Sequence, residues 1–322
     1  MRVPPLPPAL AQPVVIDGQV VLKVMLDLTI YLQGPTEEEF EFLLDLYEAA
    51  CPTDRLIKFK IAELPIWSYI AAPRLTMQGR SAATARIRRP YFEPSRERIR
   101  QGRAFEAQYW DGLEIDEPSG SWSLNCQRAH WRSEGLFAFA RVLVPLETDP
   151  DLLVRMALAV ADNVALHSGH GGLVFVYEPN FLEDAFDAIY ARARRFWGVD
   201  IEHMNGTLRL IRKGIKAVNW ITIVGREFRS APGVREILVR LADTPAVTVA
   251  HRTHASVFIA GPRPVPGDQH RPDSSLDPYY AIANALGPLF LDHHPDFPGD
   301  RFLTNGNTVG WIRRFIDPTA WR

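Results

Sequence analysis

The chain has 322 residues, 47% of them hydrophobic and 23% charged, and its 36 Lys and Arg nearly balance 38 Asp and Glu for a formal net charge of −2. This composition excludes disorder of the whole chain. At this length a compact fold buries about 75% of the surface exposed by the unfolded chain, so neither disulfides nor metal are needed to supply a core. No apolar run reaches the roughly 18–20 residues that cross a bilayer; the best, 136–146, carries Arg141 and Pro145. Cys51 and Cys126 are too far apart for a thiolate zinc knuckle and give no reason to expect a disulfide.

Residues 1–18 begin Met1-Arg2-Val3-Pro4-Pro5-Leu6-Pro7-Pro8, with one positive charge, no apolar stretch behind it and prolines that would break a signal helix. They read as a flexible Pro-rich arm on a cytoplasmic protein. Residues 20–31 are rich in Val, Leu, Ile, Thr and Tyr and predict a strand; 36–50 have helical periodicity and 56–61 read as a strand again. The same β-α-β order recurs twice. Residues 136–146, 149–166 and 173–177 form the second unit, with Asp149-Pro150 as N-cap and first-turn proline. Residues 217–224, 234–241, 246–250 and 257–260 form the third. The unequal spacing of the units excludes a solenoid of fixed period. A helix over 180–196 starts at Asn180 with Glu183 three residues on, and another is opened by Asp277-Pro278 and closed by Gly287-Pro288. Residues 74–103 carry nine arginines against Glu93 and Glu97, a net +7 without a period, and read as a long partner-facing excursion. Residues 261–275, with four prolines, read as a loop. The expectation is a single α+β domain over 19–322, its β-α-β units forming mixed or mainly antiparallel sheets covered by helices.

The sequence offers little catalytic chemistry. Nine histidines include the pairs His167 and His170, His251 and His254, and His293 and His294. His251 and His254 lie in or beside strand-like sequence, where positions three apart face opposite ways and cannot chelate one ion. The stretch 167–172 sits between a predicted helix and strand, where glycines and polar residues serve as a helix stop. There is no Gly-x-Ser-x-Gly elbow, and the Gly-rich stretch 169–172 precedes a strand rather than a helix, the reverse of a phosphate cradle. A restriction-type nuclease needs an acid on one strand and an Asp/Glu-x-Lys on the next, and no such pair is visible. The Arg-rich segment 74–103, with Tyr91, Phe92, Tyr109 and Trp110, suggests nucleic-acid binding, against which stand a pI near 6.5 and the lack of a recognisable nucleic-acid fold motif. The tryptophans, Trp110, Trp122, Trp131, Trp197, Trp220 and Trp311, read as core packing.

The segments 191–200 (Ala-Arg-Ala-Arg-Arg-Phe-Trp-Gly-Val-Asp), 214–222 (Gly-Ile-Lys-Ala-Val-Asn-Trp-Ile-Thr), 261–268 (Gly-Pro-Arg-Pro-Val-Pro-Gly-Asp) and 279–283 (Tyr-Tyr-Ala-Ile-Ala), with His170-Gly171-Gly172-Leu173, resemble the bacterial type VI immunity family. The resemblance covers about residues 20–290. It implies a cytoplasmic antitoxin that binds and silences a secreted nuclease of the restriction-endonuclease superfamily, without catalysis, cofactor, metal, direct nucleic-acid binding or membrane association, and it leaves homo-oligomerisation open. Its recurring residues, here Asn219, Trp220, Gly267 and Asp268, are expected to form the fold. The Arg-rich excursion is not a family feature. A hydrolase or metal-dependent enzyme and a nucleic-acid-binding module remain as alternatives.

One helix suggests an interface. Thr36 and Glu39 predict a capping box, which places Phe40, Leu43, Leu44 and Tyr47 on one face and Glu37, Glu38, Glu41, Asp45 and Glu48 on the other. Such an acidic stripe would be steered to the basic groove of a nuclease. The partner surface is accordingly expected at these five acids and at Arg86, Arg88 and Arg89.

Overall fold

The computed structural model describes residues 3, 5–50, 58–61, 68–69, 105–110, 122–128, 137–229, 241, 243–304 and 306–321, with the side chains of 37, 48, 58–61, 68–69, 105–110, 127–128, 229 and 274 excepted. Twelve strands of the described residues form one sheet: β1 Val14–Ile16, β2 Gln19–Gln33, β3 Lys58–Ile61, β4 Ser68–Tyr69, β5 Phe105–Trp110, β6 Ser123–Arg128, β7 Phe137–Val144, β8 Leu166–Tyr177, β9 Val199–Ile201, β10 Ile221–Gly225, β11 Val247–His251 and β12 Ala255–Ala260. The order across the sheet is β11-β12-β10-β8-β2-β7-β6-β5-β3-β4, with β1 on β2 and β9 on β8. Every pairing is antiparallel except β8 with β9.

The strands of the expected β-α-β units are present, but within each unit the strands before and after the helix are not neighbours. β7 and β8 run parallel because both pair antiparallel with β2, which lies between them. In the same way β12 separates β10 from β11, and three strands separate β2 from β3. The result is an α+β fold with a mainly antiparallel sheet, as the fold-class reading expected.

The described α-helices are α1 Pro8–Ala11, α2 Glu37–Ala50, α3 Asp151–Asn163, α4 Leu182–Ala193, α5 Met204–Leu210, α6 Arg226–Arg229, α7 Asp277–Leu286, α8 Asp300–Leu303 and α9 Asn307–Ile312. α2 starts as expected: the Thr36 N–H donates to Glu39 Oε2 at 2.8 Å and the Glu39 N–H to Thr36 Oγ1 at 3.2 Å. Its apolar face, Phe40, Leu43, Leu44 and Tyr47, is buried in the main core. That core lies on one face of β2, formed by Leu22, Val24, Leu26, Leu28, Ile30 and Leu32, and takes the apolar sides of α3, α4 and α7.

Several expectations change. Within the expected Pro-rich arm, Leu10 on α1 is fully buried and β1 pairs with β2, so 8–16 is held to the fold. α4 is not capped by Asn180. A 3-10 turn, Pro179–Phe181, precedes it, and Glu178 accepts from both the N–H and the side-chain amide of Asn180. α3 ends at Asn163, and residues 167–172 are not a helix stop but the first half of β8. That half holds its ladder because β2 and β10 flank it on both sides, so tertiary pairing overrides the poor strand propensity of Gly and Ser. Of the predicted helix over 234–241 only Leu241 is among the described residues, and the excursion 74–103 lies outside them.

Family-like segments that are distant in sequence meet in space. The chain at 195–198 pairs with 266–269: Trp197 N–H donates to Gly267 O, Gly198 N–H to Pro266 O and Gln269 N–H to Arg195 O, at 3.1, 2.8 and 2.8 Å. A Cβ on Gly198 would fall 2.0 Å from Val265 O, so no larger residue permits this approach.

Candidate functional site: a sealed ion cluster under the sheet

The second face of β2 carries Met25, Asp27, Thr29 and Tyr31, because side chains alternate along a strand. Its polar middle is continued by register on the neighbouring strands. Thr29 pairs with His170 on β8 and with Arg141 on β7; His170 in turn pairs with Thr222 on β10, and Arg141 with Asn125 on β6. This polar row runs between two apolar clusters, one of Met25, Leu143, Val174 and Val176, the other of Tyr31, Phe137, Phe139 and Ile211 with Met204 and Leu208 of α5.

β9 adds the acids. Asp200 pairs with Val174, so Asp200 and, two residues on, Glu202 face the same side as His170. The chain then passes through α5 and returns with Lys216. His170 Nε2 lies 3.0 Å from Asp200 Oδ2 and 3.1 Å from Glu202 Oε2. Lys216 Nζ donates to Asp200 Oδ2 at 3.1 Å, Glu202 Oε2 at 2.8 Å and the Ile201 carbonyl at 2.7 Å, which uses all three of its protons. Tyr31 and Thr207 hydroxyls donate to Glu202 Oε2 and Oε1 at 3.1 and 3.2 Å. None of His170, Asp200, Glu202 and Lys216 is more than 3% exposed.

The electrostatics follow from burial and pairing. Burial pushes the His170 imidazole down, but the Asp200 carboxylate and hydrogen bonding to Asp200 and Glu202 outweigh it, against Lys216, and hold the group up at about 9. Burial raises the two acids; the Lys216 ammonium and His170 reverse this, leaving Asp200 below and Glu202 well below the usual carboxylate range. Lys216 is raised, because its two carboxylates outweigh burial. Two anions thus face two cations. Asp27 differs: burial pushes its carboxyl up to about 6, only partly offset by Arg141, whose Nε lies 3.6 Å away. His294, which contacts Thr207 Oγ1 through Nε2 at 3.1 Å, is pushed down to about 4 by burial and by Lys216.

His170, Asp200 and Glu202 are the one trio among the described residues whose ligand atoms are close enough to hold a metal ion. Their access is closed by burial, and Lys216 stands on both carboxylates, so the chain's own ammonium does the neutralising that an ion would do. The other histidine of the pair, His167, takes no part. Its Nδ1 meets Glu227 and its Nε2 the Ile211 carbonyl.

The residues expected to form the fold make contacts within the chain. Trp220 is 1% exposed, and its Nε1–H donates to the Gly261 carbonyl at 3.1 Å. Asn219 is buried and its N–H donates to Thr222 Oγ1 at 3.2 Å. Gly267 has φ +64°, a turn conformation suited to glycine. Asp268 accepts both Nε and Nη2 of Arg195 at 2.7 Å. On α2, Glu38 and Asp45 are exposed and Glu41 half-buried; Glu37 and Glu48 belong to the same helix. Arg86, Arg88 and Arg89 lie outside the described residues. Sequence reasoning missed Asp27, Asp200, Glu202 and Lys216. The available signals were Asp27 between Leu26 and Leu28, and Asp200 and Glu202 alternating about Ile201 after Val199.

Among the described residues this polar cluster is turned inward and neutralised by the chain's own groups. The family described as type VI immunity for VRR-NUC (TsiV) matches residues 46–315, and the chain belongs to this family. It is a type VI immunity protein. Among solved structures, a T6SS protein of Pseudomonas aeruginosa is similar at 17% identity and a TM-score of 0.68, over 92% of this chain and 83% of that one, a likeness of fold. No curated protein matches. No helix among the described residues is long and apolar enough to cross a membrane.

Proposed function

We propose that the chain is a non-catalytic inhibitor that binds a VRR-NUC nuclease effector in the cytoplasm of the cell that makes it, and silences the effector by protein–protein contact. The match to the type VI immunity family over 46–315 carries this reading. The sealing of the His170, Asp200, Glu202 and Lys216 cluster supports the non-catalytic part, because a substrate cannot reach groups at most 3% exposed. The acidic face of α2 is the proposed contact, its exposed Glu38 and Asp45 facing the basic groove by which a nuclease holds phosphates. Asn219, Trp220, Gly267 and Asp268 shape the scaffold rather than touch the partner.

The test mixes the purified chain with the nuclease domain of its neighbouring effector and follows DNA cleavage. Inhibition should saturate at a fixed stoichiometry and recover when the complex is dissociated. Lasting inactivation by substoichiometric amounts of the chain would identify an enzyme acting on the toxin and overturn the proposal.

A further inference from the structure

The buried cluster has the donor set and spacing of a metal centre, with the Lys216 amine seated on its two carboxylates. His170 Nε2, Asp200 Oδ2 and Glu202 Oε2 stand about one ligand-to-ligand separation apart, at 3.0 and 3.1 Å from the imidazole nitrogen. The Ile201 carbonyl adds a fourth donor at 2.7 Å from the Lys216 nitrogen. Glu202 is already oriented from behind by Tyr31 and Thr207, as ligating carboxylates are in metal sites. Asp200 Oδ1 is buried and makes no hydrogen bond among the described residues, while His170 Nε2 lies against both carboxylates. The donors are not fully used by the groups now present.

We propose that His170, Asp200, Glu202 and the Ile201 carbonyl form a divalent transition-metal site whose cation position is filled by Lys216 Nζ, so that removing this amine opens the site to Co2+, Mn2+ or Zn2+. The charges agree: two carboxylates balance one divalent ion. Mixed N and O donors suit these ions. With Lys216 in place a second cation would sit against an ammonium, so the native chain excludes the metal and holds β9 to the returning 214–217 segment with its own side chain instead.

The experiment uses the full chain, Lys216→Ala, and Co2+ as a spectroscopic probe. The variant should bind one equivalent of Co2+ with a ligand-field spectrum of low coordination number, at least tenfold more tightly than the native chain, and Lys216→Ala combined with His170→Gln should lose the spectrum. Removal of a buried cation can unfold the chain, so refolding is followed by circular dichroism with and without Co2+; an unfolded variant should regain native ellipticity only with the ion. A folded variant that binds no Co2+, an unfolded one that the ion does not restore, or a native chain that binds as tightly as the variant would each overturn the proposal.

Discussion

Gly172 packs against Trp220 where β8 changes neighbours. A Cβ on Gly172 would stand 3.1 Å from the Trp220 Cβ and 3.6 Å from Asn219 Oδ1, and the residue sits at φ +151°. On one side of this point Gly171 pairs with Ile221 of β10, and on the other Leu173 pairs with Val199 of β9. The glycine lets one strand edge serve two partners with Trp220 wedged at the junction. Gly172→Ala adds both a contact and a backbone conformation that L-residues rarely adopt, and should lower stability by about 1–3 kcal/mol in urea unfolding. Gly287→Ala is the control: its Cβ would meet only Ile316 Cδ1, at 3.5 Å, and the backbone is helical. Equal effects of the two substitutions would remove the junction argument.

Trp220 fills this junction and donates to Gly261, so its truncation leaves a cavity and an unmet carbonyl. Trp220→Ala should cost about 3–5 kcal/mol of unfolding free energy. Trp220→Phe should cost less, since most of the volume is kept. The folded fraction of Trp220→Ala should still bind the effector with native affinity. Full stability with lost binding would instead place Trp220 in the recognition surface.

The ion cluster makes stability depend on pH in an unusual window. His170 is held at about 9 in the fold against 6.5 for the free side chain. The native state therefore binds the proton more tightly, so this contribution is complete below about pH 6.5 and is lost as pH rises through about 9. The size is on the order of 3 kcal/mol. Asp27 also has a raised value, about 6 against 3.8, so its buried carboxylate is a cost at pH 7 that disappears as pH falls toward 4. Asp200 and Glu202 act oppositely, because their lowered values make stability fall when acid protonates them. Urea midpoints should decline between pH 6.5 and 9.5, and the imidazole C–H resonance of His170 should titrate in the alkaline part of that range. A flat midpoint there, with His170 titrating near 6.5, would contradict the pairing.

These features differ in how far the sequence announces them. The α2 cap and apolar face depend on residues within a few positions, and there Thr36, Glu39, Phe40 and Tyr47 are sufficient. β8 is the contrary case. His167 to Gly172 has no strand propensity of its own, and the strand is imposed by β2 and β10, whose backbones come so near that a Cβ on Gly171 would lie 2.8 Å from Asp27 O. The cluster was hidden for a related reason. Asp200 and Glu202 reach Lys216 only after α5 and its following turn, and reach His170 only through the pairing of β8 with β9, so no local spacing encodes the site.

The last prediction concerns the outward charge of α2. Glu38, Glu41 and Asp45 follow each other at three and four positions, which sets them along one line of the helix. Glu38 and Asp45 are exposed, while the opposite face is locked into the core by Phe40, Leu43, Leu44 and Tyr47. A rigid line of carboxylates presented to a phosphate-binding groove accelerates encounter mainly through long-range attraction, so the effect belongs in the on-rate and weakens with salt. Replacing Glu38 and Asp45 by Lys should reduce the association rate with the nuclease about tenfold or more at low ionic strength, with the difference shrinking in high salt and dissociation changing little. Both acids also interact within the chain, so thermal unfolding of the variant is followed alongside. An on-rate that stays native at low salt in a stably folded double variant would exclude this helix from the interface.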